Sequence, residues 1–147
     1  MRHFAVELEE LNQAILEMGA LVESTIHCTV QSLVDRDERM ARRVIEDEKR
    51  INQMELDVDA RVTRLLALNQ PVARDLRLLI MALKINTDLE RMADLAEEIA
   101  ERAIHLASPP LMAVPDKLQH MTDLTTMMVR EVLFAISRSK DTQPRLR

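Results

Sequence analysis

Hydrophobic residues recur at intervals of three and four along almost the whole chain, which is the spacing of an amphipathic α-helix. The first stripe covers about nine helical turns and consists of Phe4, Leu8, Leu11, Ile15, Met18, Val22, Ile26, Thr29 and Leu33. A second stripe follows it and consists of Met40, Val44, Ile51, Met54, Val58, Val62 and Leu65. The pattern predicts an all-α protein.

Capping and helix-breaking residues divide this pattern into four elements. Asp37 can cap the second helix, and Pro71 suits the first position of the third helix because that position needs no backbone N–H. The third helix stops at Ser108, Pro109 and Pro110. We predict three long helices and a shorter fourth, at about residues 3–35, 37–69, 71–107 and 116–139. Short connections make successive helices antiparallel, so the predicted fold is an elongated up-down helical bundle.

This division also predicts the domain organisation. Residues 1–107 form a three-helix unit, residues 108–115 a linker and residues 116–139 the fourth helix. The polar tail, residues 140–147, is predicted to be disordered. Helix four aligns with helix one at an offset of 103 residues, but any two amphipathic helices align about as well.

Composition supports one soluble helical domain. The chain has 147 residues, of which 47% are hydrophobic, 31% charged and 1% aromatic, with a single glycine. This argues against a β-sandwich, which needs turn glycines and aromatic or β-branched strands. The net charge of −5 provides no broad basic surface, so we expect no nucleic-acid partner.

The number of cysteines and the length of the apolar runs indicate the cellular compartment of the protein. Cys28 is the single cysteine, which excludes an intramolecular disulfide and a cysteine-based zinc site and favours a reducing compartment. The longest apolar run, Leu78 to Leu83, is far shorter than the roughly 20 residues of a membrane span. We therefore expect a cytoplasmic protein without direct membrane insertion.

Helices two and three each carry a column of acidic residues. The predicted helix three has an arc without Lys or Arg that contains Glu90, Asp94, Glu97, Glu98 and Glu101. Opposite this arc runs an apolar stripe through Leu78, Met81, Ile85, Leu89, Met92, Ala96, Ile99, Ala103 and Leu106. On helix two, one arc at the edge of the apolar stripe contains Glu48, Asn52, Glu55 and Asp59. Like charges at this spacing repel one another by a few tenths of a kcal/mol per pair, so a cation is the natural counterion.

Folding the second and third helices back on each other brings these columns together. A bend near residue 70 places Glu48 level with residue 92 and close to Glu90, and helix one is expected to bring Glu23 to the same level. Oxygen ligands without sulfur suit magnesium, manganese or iron. A solvated acidic face without metal remains the alternative.

Two segments at and after the bend resemble the PhoU family of phosphate-signalling regulators. The first contains Gln70-Pro71 followed by Asp75-Leu76-Arg77, and the second reads Asp88-Leu89-Glu90-Arg91 with Asp94 following. The resemblance extends from about residue 4 to residue 107, which is one three-helix PhoU repeat, and the fourth helix looks like the start of a second.

The resemblance implies a multinuclear metal cluster. The acidic motif of the family is Glu or Asp, three residues, then Asp, and it matches Glu55 to Asp59 and Glu90 to Asp94. The predicted metal ligands are therefore Glu90, Asp94, Glu55, Asp59, Asn52 and Glu48. The metal is a divalent or iron-type ion.

The resemblance also implies a function. PhoU-like proteins are non-enzymatic, cytoplasmic regulators that repress phosphate uptake and phosphate-starvation signalling through a phosphate ABC transporter ATPase and a sensor histidine kinase. They usually hold two three-helix repeats. Since this chain has one repeat and an extra helix with an uncovered apolar face, we expect a homodimer that rebuilds the two-repeat architecture.

Three other interpretations stay open. The chain could be a metal-free helical interaction scaffold or a degenerate paralogue with impaired function. It could also be a small all-helical enzyme of the chorismate-mutase type, because four arginines cluster near the bend, namely Arg61, Arg64, Arg74 and Arg77. Such an enzyme must hold a dianion among inward-facing cations.

Overall fold

The computed structural model describes residues 2–138 and contains four α-helices in this range. They are α1 (Arg2–Val34), α2 (Glu38–Asn69), α3 (Arg74–Leu106) and α4 (Asp116–Arg138). The predicted all-α class and the order of the helices are confirmed, and each predicted helix end lies within three residues of the observed one. The tail predicted to be disordered, residues 140–147, lies outside the described residues.

The first three helices form an antiparallel bundle in which each packs against the other two. Each has 32 or 33 residues, so the bundle is about 50 Å long. Large apolar side chains from all three helices fill its centre, among them Leu11, Ile15, Met18, Ile51, Leu65 and Leu79. The apolar stripes predicted for α1 and α2 supply most of these residues.

The turn between α1 and α2 uses the predicted cap. Arg36 adopts a left-handed conformation with φ of 54° and reverses the chain direction. The backbone N–H of Met40 then donates to Oδ1 of Asp37 at 3.1 Å. Glu38 lies in the first turn of α2, where the helix dipole favours a negative charge.

The turn between α2 and α3 corrects the predicted start of the third helix. Pro71 does not begin α3, because the helix starts at Arg74 and its N-cap is Ala73. Gln70 ends α2 in a left-handed conformation, with φ of 44°. Ala73 has φ of 53° and ψ of −118°, which glycine adopts more readily than alanine. The reversal therefore takes four residues instead of one tight bend.

The buried side of α3 also differs in part from the predicted stripe. Leu78 and Met81 are 38% and 56% exposed. The buried positions follow an overlapping line that consists mainly of small residues: Leu79, Ala82, Asn86, Leu89, Ala93, Ala96, Ala100 and Ala103. Alanines allow the α3 backbone to approach two neighbouring helices at once, and the larger side chains are displaced to the flanks.

Helix α4 lies on the outside of this bundle. Its backbone comes close to α1 and to no other helix in the described part of the chain. Gly19 of α1 permits this approach, because a Cβ at that position would overlap the side chain of Leu133. Arg130 adds an ion pair, in which its Nε donates to Glu23 at 2.9 Å.

The other side of α4 is apolar and exposed. Six large residues on it are between 45% and 67% exposed: Met121, Leu124, Met127, Met128, Val132 and Phe134. None of the described helices combines the length and hydropathy that a membrane crossing requires.

Candidate metal centre

Three carboxylates from two antiparallel helices converge beside the bundle core. They belong to Glu48 of α2 and to Glu90 and Asp94 of α3, and one oxygen atom from each lies within 4.8 Å of the other two. Glu90 and Asp94 are one helical turn apart, and Glu48 approaches them from the facing helix. The fold therefore brings together the parts of the two acidic columns that the sequence placed near Glu90.

Glu48 is the buried member of this group. It continues the apolar stripe of α2 between Val44 and Ile51, which are 1% and 0% exposed, and Glu48 itself is 5% exposed. A carboxylate in such a position normally needs a positive partner or hydrogen bonds to replace the lost water.

Burial and repulsion disfavour the charged forms. Burial is the main cause that raises the pKa of Glu48 from 4.5 to about 7, and the neighbouring carboxylates of Glu97 and Asp94 raise it further. Burial likewise raises the pKa of Glu90 to about 7, with Asp94 and Glu55 adding to the effect. These shifts show that the site carries more negative charge than its protein surroundings compensate.

No basic side chain neutralises these carboxylates. Within residues 2–138, neither Glu48, Glu90 and Asp94 nor the adjacent Glu55 and Glu97 form an ion pair with Lys, Arg or His. The positive charge that compensates these carboxylates would therefore come from a bound ion or from bound protons.

The donor set fits a hard cation. Oxygens on opposite sides of an ion are separated by twice the metal–oxygen distance, about 4.1 Å for Mg²⁺ and about 4.6–5.2 Å for Ca²⁺. Three oxygens around one octahedral ion include at most one opposite pair, and neighbouring oxygens are about 2.9 Å apart at the Mg²⁺–oxygen distance, so carboxylate oxygens that lie within 4.8 Å of one another would move closer together to bind a single ion. Three carboxylates provide half of an octahedral shell and leave the remaining positions to water or further carboxylates.

The other predicted ligands lie along the same surface of α2. Glu55 is half-buried and close enough to Glu90 to influence its pKa. Asn52 and Asp59 are exposed, and Asp59 is outside the group of converging oxygens. The structure thus brings together three of the six predicted ligands, with Glu55 beside them.

Two acidic residues are placed differently from the expectation. Glu97 faces Glu48, although it was not among the predicted ligands. Its position in the acidic arc, one turn beyond Asp94, was the sequence feature that could have indicated its place near the site. Glu23 was expected beside Glu90, but its carboxylate accepts hydrogen bonds from Arg130. The difference arises because α4 covers that side of α1.

The four arginines near the bend lie at the protein surface. Arg61 pairs with Glu10 at 3.6 Å and Arg64 with Glu7 at 3.7 Å, and both pairs join α2 to α1 at the surface. Arg74 and Arg77 are exposed in the first turns of α3. This arrangement lacks the inward-facing cations that the chorismate-mutase interpretation requires.

Comparison with known proteins identifies the same family as the sequence motifs. The PhoU domain matches residues 15–103. A phosphate-specific transport system accessory protein PhoU homolog from Pseudomonas putida is 41% identical over 140 residues, which cover 93% of this chain and 54% of that protein. The chain spans about half the length of the curated relatives it matches.

Solved structures share the fold. The crystal structure of PhoU from Pseudomonas aeruginosa superposes with a TM-score of 0.88 at 39% identity, and the match covers 92% of this chain and 65% of that one. The phosphate transport system regulatory protein PhoU from Streptococcus pneumoniae superposes with a TM-score of 0.83 at 34% identity, covering 90% of this chain and 62% of that one.

Proposed function

This chain belongs to the PhoU domain family, and we propose that it is an accessory regulator of phosphate uptake and phosphate-starvation signalling. Its relatives, an accessory protein of a phosphate-specific transport system and a phosphate transport regulatory protein, support this role. The proposed mode of action is protein–protein contact with a phosphate ABC transporter ATPase, a sensor histidine kinase or both. We place this regulator in the cytoplasm, where both contacts are available.

The regulatory role is tested in a bacterium whose own PhoU gene is deleted. We expect expression of this chain to lower transcription from a phosphate-starvation promoter when phosphate is abundant. Co-purification with the transporter ATPase of the source organism tests the contact. A promoter that stays fully active, with the chain expressed and folded, would contradict the proposal.

A metal ion at Glu48, Glu90 and Asp94 is the second part of the proposal. The observation that carries it is the convergence of three unpaired carboxylates, one of them buried, within 4.8 Å. Magnesium, manganese and iron match the oxygen donors. Glu55, Asn52 and Asp59 would hold further ions of a cluster along α2. A bound cation removes the repulsion between α2 and α3 and rigidifies this surface for docking.

Elemental analysis of the purified protein tests the metal site. The double variant Glu90→Ala with Asp94→Ala is expected to lose most of the bound metal. The matched control is Glu98→Ala with Glu101→Ala, which removes two exposed carboxylates from the same helix and should keep the metal content. Equal metal content in the two double variants would show that the ions bind at another site. A wild-type protein without metal would favour the metal-free scaffold.

The third part of the proposal is a homodimer formed through α4. The exposed apolar residues of this helix, of which Met128 is 67% exposed, form a surface of the kind that associates in water. Light scattering should give about twice the 16.9 kDa chain mass, and Met128→Lys should halve it. Leu56→Lys, at a 61% exposed leucine on α2, is the control. A monomer mass at all concentrations would refute the dimer.

A further inference from the structure

Asn86 is a buried polar residue in the middle of the α2–α3 interface. It is 2% exposed and occupies the buried line of α3 among leucines and alanines. Its Nδ2 donates to the backbone oxygen of Glu55 on α2 at 3.0 Å. Its Oδ1 is buried and has no hydrogen-bond partner within the described residues.

The unpaired Oδ1 atom of Asn86 destabilises the folded protein. A buried acceptor without a partner lowers the stability of the folded state, and leucine, with the same number of side-chain heavy atoms, does not carry this cost. Buried asparagines in helical interfaces are known to fix the alignment of one helix along another at the expense of stability. Asn86 has both properties, since it is incompletely paired and it bridges two helices.

The apolar contacts leave this alignment weakly specified. Four small residues follow one another on α3 at three- and four-residue spacing, Ala93, Ala96, Ala100 and Ala103, whereas the buried valines and isoleucine of α2 are four or seven residues apart. Small side chains interlock less firmly with a facing helix than large ones do, so these alanines by themselves hold the alignment loosely. The hydrogen bond from Asn86 selects a single carbonyl, that of Glu55.

The distances along the helices connect this bond to the carboxylates. Glu48 is seven residues from Glu55, about 10.5 Å along α2. In the antiparallel α3, Glu90 is four residues from Asn86 and Asp94 eight, about 6 Å and 12 Å in the same direction. The bond thus places Glu48 at a level between its two partners.

We infer that Asn86 is a positioning residue that fixes the register of α2 against α3 and so assembles the Glu48, Glu90 and Asp94 group. A slide of one turn is about 5.4 Å, which exceeds the 4.8 Å within which the three oxygens lie. A single turn of slippage therefore separates Glu48 from one of the two other carboxylates, by about 7 Å from Asp94 in one direction or about 10 Å from Glu90 in the other. For its metal readout this inference rests on the proposed metal site; the register itself does not depend on metal.

The register is measured directly by the distance between two nitroxide spin labels. The labels are attached at the exposed positions Gln53 and Glu101 in a Cys28→Ser background. Because these positions are well separated along the bundle axis, the distance between the labels changes by nearly as much as the helices slide. We expect Asn86→Leu, and Asn86→Ala as a smaller second variant, to broaden the distribution or shift it by roughly 5 Å. Distributions identical to that of the parent protein in both variants would overturn the inference.

The metal readout uses Mn²⁺ titration by calorimetry at pH 7. We expect both Asn86 variants to bind Mn²⁺ at least about tenfold more weakly, with helical content and thermal midpoint maintained. Thr29→Val is the matched control, because it removes another buried side-chain-to-backbone bond, from Thr29 Oγ1 to Ala96 O at 2.6 Å, between α1 and α3; it should keep Mn²⁺ affinity within about twofold. Equal weakening in the control would reduce the effect to general destabilisation and overturn the inference.

The two experiments separate this inference from the proposed metal binding. If the wild-type protein binds no Mn²⁺, the metal proposal fails and the label distances alone decide whether Asn86 fixes the register. If Mn²⁺ binding weakens while the label distances stay unchanged, the metal proposal survives and the positioning role is refuted.

Discussion

The raised pKa of Glu48 predicts a protein that loses stability as pH rises. Its folded-state pKa is about 7 and its ordinary value 4.5, so between these values the folded protein binds a proton that the unfolded chain has released. The stabilisation is complete below pH 4.5 and is lost as pH rises through 7. This is the reverse of the usual carboxylate, whose ion pairs strengthen the fold above its pKa.

The magnitude follows from the size of the shift. A difference of about 2.5 pH units corresponds to an upper limit of about 3 kcal/mol for one group, because Glu48 interacts with the exposed Asp94 and solvent there reduces the effect. Glu90 titrates with it because both contact Asp94. For a chain of this length, 3 kcal/mol lowers the thermal midpoint by roughly 6–12 °C.

Thermal unfolding in the presence of EDTA, at pH values from 5 to 8, measures this effect. Glu48→Gln removes the titrating group and should flatten most of the decline, whereas Glu98→Gln, at an exposed position of α3, should leave it unchanged. Excess Mn²⁺ should restore stability most at pH 8, because the metal binds ionised carboxylates. A midpoint that is constant or rises with pH in EDTA, equally in wild type and Glu48→Gln, would refute the reasoning.

Two further substitutions test the local geometry. Ala73→Gly should raise the free energy of unfolding by about 1 kcal/mol in urea titrations, because glycine adopts the positive φ of this position with less strain; a loss of stability would contradict that. Gly19→Ala should displace Leu133 and speed hydrogen exchange in α4 while exchange in α2 stays slow, although alanine is the better helix former; unchanged exchange in α4 would show that Leu133 accommodates the methyl group.

Sequence periodicity predicted those parts of the fold that depend on local rules. The cap at Asp37 is confirmed because it needs only a carboxylate and the N–H groups of the next turn. The columns containing Glu48, Glu90 and Asp94 were placed near one another because a short turn between two antiparallel helices brings residues at similar distances from it to similar levels. Whether these residues bind metal stays a prediction.

Features that depend on packing between distant segments were harder to predict. The start of α3 was misplaced because the backbone of Ala73 adopts a positive φ that its sequence does not favour. The buried line of α3 was predicted only in part: Leu89 of the apolar stripe is buried, whereas Leu78 and Met81 are exposed because close packing selected alanines over these larger side chains. Glu23 was misassigned because its partner, Arg130, is 107 positions away in the sequence and nothing local indicates where α4 docks.

The backbone of α4 approaches only α1 among the described helices, which divides the molecule into parts of unequal strength. A helix held on one side opens without disturbing the others, whereas α1, α2 and α3 must separate together. A protease should therefore cut first in the segment from residue 107 to residue 115 and release α4. The remaining fragment would retain Asn86 and all the clustered carboxylates. The acidic site and the apolar helix α4 are therefore separable parts of one chain.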